Sequence, residues 1–124
     1  MEMTIDQIID DLFDETNLKV GGIGVISSNG TIIYQTENWD LTTHVTLILD
    51  TIKVNKGSIT LFGIKYMIVE HTPERIIGTN VTGKGHLILA PYEKGVLVSY
   101  VLPEVGPRDV LFYVQTAALK LNKL

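Results

Sequence analysis

The sequence predicts an α+β fold: a central antiparallel sheet of six to seven strands with helices on both sides. Three observations lead there. The elements read in the order α-β-β-α-β-β-β-β-β-α, with short and mostly hairpin connections, which favour antiparallel neighbours. The first and last helical segments each carry a one-sided apolar stripe. Between them, Ile59 to His71 reads ITLFGIKYMIVEH, two β-rich runs broken at Phe62-Gly63. A strand apolar on both faces needs cover on both, so this stretch is expected at the centre of the sheet.

Taken in order, Thr4 to Glu15 predicts the first helix. Ile5, Ile8, Ile9, Leu12 and Phe13 fall on one stripe, and Thr4 with Gln7 forms a capping box. Val20 to Ser27 and Thr31 to Glu37 predict a hairpin turning at Asn29-Gly30, two residues that tolerate positive φ. Gly21, Gly22 and Gly24 miss the spacing of a dinucleotide fingerprint and imply close packing on that strand instead. Leu41 to Val54 predicts the second helix, capped near Asn38 or Asp40 and stopped at Lys56-Gly57. Its β-branched content leaves it dependent on packing. His44 lies off its stripe, where a solvated side chain is expected. After the central hairpin come strands over Arg75 to Asn80, His86 to Tyr92 and Val96 to Leu102, the last ended by Pro103. Arg108 to Leu121 predicts the final helix, with Pro107 at its start and Leu111, Val114, Ala118 and Leu121 as its stripe. Phe112 and Leu119 fall off that stripe.

At 124 residues this is a single domain large enough to bury a core without staples. It has no cysteine, so disulfides, thiol catalysis and thiolate zinc sites are excluded. A net charge of -4 argues against nucleic acid and weakens binding to anionic phosphoinositide surfaces. The first residues show neither a basic region nor an apolar core of a signal peptide, and no run reaches membrane-spanning length. A cytoplasmic protein without membrane insertion is therefore expected.

Motifs for catalysis are weak. Gly78 to Lys84 reads GTNVTGK, but Gly85 follows where a hydroxyl should hold magnesium, and a strand follows where a helix is needed. A hairpin tip explains the same letters. His44, His71 and His86 lack metal-ligand spacing, and no serine sits in a nucleophile elbow. The sequence therefore predicts no catalytic residue, metal or cofactor.

The block GIKYMIVE at Gly63 to Glu70, followed by Arg75-Ile76-Ile77-Gly78, by Gly83 to Gly85 and by a C-terminal helix, resembles the profilin family. The resemblance implies a profilin-like sheet with the N- and C-terminal helices on one face and the second helix on the other. It also implies a monomer that binds actin or an actin-like monomer and regulates polymerisation. Carried over by position, the actin face would include Lys65, Ile68 and Glu70, then Leu89 and Pro91, then Val105, Gly106, Arg108, Asp109 and Phe112. Ile68 and Leu89 fit a core position equally well. Glu70, Leu89 and Pro91 stand where many profilins carry basic residues, so contact should lean on shape and apolar burial. The positions matching the family's aromatic platform for proline-rich peptides are Ile5, Ile8, Ile33 and Leu119. All are aliphatic, which implies weak or no polyproline binding. This pattern fits a divergent, archaeal-type profilin.

Two other classes compete, a scaffold with a similar element order and a small-molecule sensor or enzyme on an α/β sandwich. A roadblock- or longin-like scaffold would be an obligate dimer regulating a small GTPase. A small-molecule sensor would need an interior pocket with convergent polar groups.

Overall fold

A computed structural model describes residues 3–37 and 39–124. Helix α1 spans Ile5–Glu15 and starts on the expected capping box: Gln7 N donates to Thr4 Oγ1 at 3.2 Å, and Thr4 N donates to Gln7 Oε1 at 2.9 Å. Strands β1 (Val20–Ser27) and β2 (Ile32–Gln35) form the first hairpin. Its turn takes positive φ at Gly30 alone, and a three-residue loop is closed by the Ser27 N to Thr31 O bond of 2.8 Å. A 3₁₀ turn at Thr42–His44 leads into α2, Val45–Lys53. The cap expected at Asn38 or Asp40 is corrected: α2 starts from His44 with no side-chain cap, Asp40 instead accepts from Thr42 N at 2.9 Å in the turn ahead of it, and Asn38 lies outside the described residues. The helix begins later and ends earlier than the periodicity implied, because the 3₁₀ turn takes up its first residues and Val54 is already extended.

Strands β3 (Ser58–Leu61) and β4 (Ile64–His71) pair through a two-residue turn in which Phe62 and Gly63 both have positive φ. Strands β5 (Ile76–Thr79), β6 (His86–Tyr92) and β7 (Gly95–Val101) follow, and α3 (Pro107–Leu121) closes the chain with Pro107 in its first turn.

All seven strands form one antiparallel sheet in the order β2-β1-β7-β6-β5-β4-β3. The expected central position of Ile59 to His71 is therefore corrected. Strand β3 is an edge, β4 lies next to it, and β6 is the middle strand. Met67 and Val69, which made β4 look two-sided and buried, are exposed. The strands with the longest buried runs are β6, from Leu87 to Ala90, and β7, from Gly95 to Ser99.

The sheet separates two core layers. On one side, α1 and α3 press Ile8, Ile9, Leu12, Val110, Val114 and Leu121 onto Ile23, Val25, Ile88, Leu97 and Val101. On the other, Leu41 and Ile48 cover Ile26, Leu61, Tyr66, Leu87, Val96 and Val98. The helices thus lie as expected, the terminal pair on one face and α2 on the opposite face. His44 is not merely solvated: its Nε2 accepts from Phe62 N at 3.3 Å, and its ring meets the Phe62 ring edge-on at 4.7 Å.

Candidate protein-binding face

Helix α3 lies over β6 and β7, and α1 packs on α3 and β1. On that side the outer half of β4 stays uncovered, and side chains of alternating residues stand out from it: Lys65 and Met67. Strict alternation would continue to Val69 and turn Glu70 to the α2 side. A bulge intervenes. Ile68 pairs with Gly78, Glu70 pairs with Ile77, and Val69 is the extra residue between them. The one-residue slip brings Glu70 round to the side of Lys65 and Met67.

There Glu70 joins three elements. Arg75 donates to one carboxylate oxygen from the start of β5, and Arg108 donates to the other from the first turn of α3. Arg108 first, and then Arg75, hold the Glu70 carboxyl below its ordinary value, against a smaller opposing effect of desolvation. A depressed carboxylate stabilises the fold above its unfolded pKa and loses that contribution as pH falls through the folded one. Arg108 is largely exposed, so the pair adds little stability. What it does is orient Arg108 over β4.

The loop before α3 and its first turns complete the strip. Gly106 caps the helix, Arg108 and Asp109 are exposed, and Phe112 projects into solvent at 71% exposure. His86 stands beside them on the same face. Its Nε2 lies 3.4 Å from Pro103 O and its Nδ1 lies 3.1 Å from Thr79 Oγ1. A carbonyl only accepts, so the neutral ring carries its proton on Nε2 and accepts from Thr79. This fixes the loop before α3 to the end of β5. Met67 and His86 were absent from the positions carried over by resemblance. The alternation from Lys65 could have pointed to Met67; nothing in the sequence marks His86.

Lys65, Glu70, Gly106, Arg108, Asp109 and Phe112 thus share one side. Four other expected residues do not present side chains there. Ile68 faces Gly78 and packs on the α2-side core, because it precedes the bulge. Leu89 is 1% exposed within that same layer. Pro91, paired with Val96, lies half-buried at the sheet end, away from the β4 strip, where it lines one depression with Leu49 and Ile52 and another with Gln115 and Leu119 of α3. Val105 is buried under α3 and anchors the loop from below.

The expected polyproline positions do not assemble either. Ile8 is 1% exposed, and Ile5 is half-buried against the same layer. Ile33 is the unpaired residue of a bulge on β2, and only it and Leu119 expose large aliphatic surface. The Gly78–Lys84 motif is a hairpin tip: the Asn80 side chain accepts from Thr82 N at 2.9 Å and Lys84 N at 3.0 Å, with Gly83 at positive φ. Among the described residues, no cluster of three potential metal ligands occurs, and no helix is long and apolar enough to cross a membrane.

A mixed apolar and charged strip on a helix-backed sheet has the composition of a protein-interaction surface and points to the class of small protein-binding domains. No protein-family model matches the chain. Along an alignment of 135 positions, gaps included, it is 46% identical to Loki profilin-1 of Lokiarchaeum sp., covering 100% of this chain and 99% of that one. It superposes with a TM-score of 0.91 on LokiProfilin2 in a complex with rabbit actin, at 42% identity over 100% of this chain and 99% of that one. Profilin of Schizosaccharomyces pombe, 17% identical, shares the fold with a TM-score of 0.81 over 95% and 96% of the two chains. The chain belongs to the profilin family and is of the divergent, archaeal type. The dimeric GTPase scaffold is thereby set aside.

Proposed function

We propose that this protein is a monomeric, non-enzymatic regulator of actin polymerisation in the cytoplasm. It binds the actin monomer through the strip formed by β4 and the start of α3. Occupying one end of the monomer blocks the contacts needed for spontaneous nucleation, and release at a growing filament end delivers the monomer. Family membership supports this reading, as does the relative LokiProfilin2, solved in complex with rabbit actin.

The observation that carries the location is the junction of Arg75 and Arg108 on Glu70. It presents an oriented guanidinium beside exposed Met67 and Phe112, the mixture of apolar anchor and fixed charge found at interface centres. Lys65 and Asp109 form the rim. Binding of proline-rich peptides is weak or absent, since Ile5, Ile33 and Leu119 offer no flat aromatic faces. A net charge of -4 likewise opposes phosphoinositide binding.

Spontaneous polymerisation of pyrene-labelled rabbit actin tests the reading. The protein should lengthen the lag in proportion to its concentration, and Arg108→Glu should abolish the effect by setting a second carboxylate against Glu70. Unchanged kinetics with both rabbit actin and the host's own actin would overturn it.

A further inference from the structure

The opposite side of the sheet holds a cavity of about 510 Å³ that the actin-binding reading leaves unused. Its lining is mainly aromatic, Trp39, Phe62, Tyr66 and Tyr100, with Ile64 and the exposed acidic residue Glu37 beside them. Gly22 forms part of the floor, where a β-carbon would come within 3.0 Å of the Trp39 ring. Trp39 and Phe62 stand 6.0 Å apart, with their planes 32° from each other. Neither lysine nor arginine lines the cavity.

Two features go beyond what packing requires. Phe62 is a bulky residue at φ 54°, in a turn position that favours asparagine or glycine. That conformation is unfavourable for the turn and leaves the ring 44% exposed at the cavity. The Tyr66 hydroxyl makes no hydrogen bond among the described residues; burial first, and then the neighbouring Tyr100, push its phenol up to about 12. Its hydroxyl therefore stays protonated. The Tyr100 hydroxyl, by contrast, already donates to Lys84 O at 2.8 Å.

Aromatic faces carry negative quadrupoles, and a carboxylate at the same opening strengthens the preference for a cation. A primary ammonium would need three acceptors, and a guanidinium more; this cavity supplies few. A methylated ammonium asks for none and spreads its charge over apolar contact. The volume exceeds one such head group and leaves room for the chain that bears it.

We propose that this cavity binds a methylated lysine side chain of a partner protein, with Trp39, Phe62 and Tyr66 enclosing the methylated ammonium and Glu37 compensating its charge. The site lies on the α2 side of the sheet and does not rest on the actin-binding reading.

Trp39 is the single tryptophan, so its fluorescence reports occupancy directly. The full chain is titrated with a glycine-serine peptide bearing one trimethyllysine, and with the same peptide bearing a neutral tert-butyl isostere. Saturable binding of the first, about tenfold tighter than the second, is expected from loss of the cation–π attraction. Phe62→Asn suits the turn and should abolish binding while keeping the thermal midpoint within a few degrees. Glu37→Gln, a change at an exposed position, should weaken binding severalfold. Equal binding of the neutral isostere, no saturable signal, or preference for a proline-rich peptide would overturn the proposal. Tetramethylammonium binding as tightly as the peptide would overturn the peptide-borne source.

Discussion

The two faces of the sheet are closed by different means. On one, the 11-residue α1 and the 15-residue α3 lay aliphatic side chains over β1, β6 and β7, leaving β3 and the outer half of β4 open. On the other, the nine-residue α2 buries only Ile48 and Thr51, and aromatic rings from loops and strands complete the layer. Long helices seal a face with interdigitating aliphatics. A short one leaves space, and flat rings wall that space without filling it. The first face therefore offers a strip on its surface, and the second a cavity.

Mutations can sharpen this contrast. Ile9 is fully buried on the inner face of α1, and Ile9→Ala should cost about 3 kcal/mol in denaturant-induced unfolding. A loss below 1 kcal/mol, as a well-relaxed site would show, would mean that the helical face is not tightly sealed. On the other face a β-carbon at Gly24 would overlap Leu41, so Gly24→Val should destabilise by about 2 kcal/mol. A neutral result there would show that Leu41 has room to move and that this layer is looser than its burial implies.

Smaller effects probe the edges of each face. Thr4→Ala removes one bond of the capping box and frees Gln7, which should cost about 1 kcal/mol in the same unfolding experiment. An unchanged midpoint would show that α1 is held by packing alone. Tyr66 is read by ultraviolet titration of the five tyrosines. One phase should be centred near pH 12 and disappear in Tyr66→Phe. Because the folded pKa is raised, the related stability is complete below the unfolded value of about 10 and declines as pH rises toward 12. A phase that persists in the variant would place the perturbed phenol elsewhere, for instance at Tyr92 or Tyr100, both also raised by burial.

What was legible in the sequence follows the same division. The stripes of α1 and α3, the capping box and the hairpin order are local patterns, and they predict these elements to within a residue or two. The glycines of β1 signalled close packing, and Trp39 and Leu41 supply it over Gly22 and Gly24. The position of β4 was not legible. Exposed Met67 and Val69 read as core letters in the sequence, because an apolar residue left on the surface carries the same letter as a buried one. The bulge at Val69 has no signature of its own, yet it decides that Glu70 faces Arg108 and Ile68 does not. Leu89 illustrates the converse, a position carried over by resemblance that the pairing of β6 with β5 and β7 turns into the core.

The central claim, that the partner docks on the β4–α3 side and leaves the aromatic side free, is tested most directly by hydrogen–deuterium exchange with and without a stoichiometric actin monomer. Protection should appear over Lys65–Glu70 and over Gly106–Phe112, with exchange around Trp39 and Phe62 unchanged. Protection confined to the Trp39–Phe62 side would contradict the account and move the actin-binding face to the other side of the sheet.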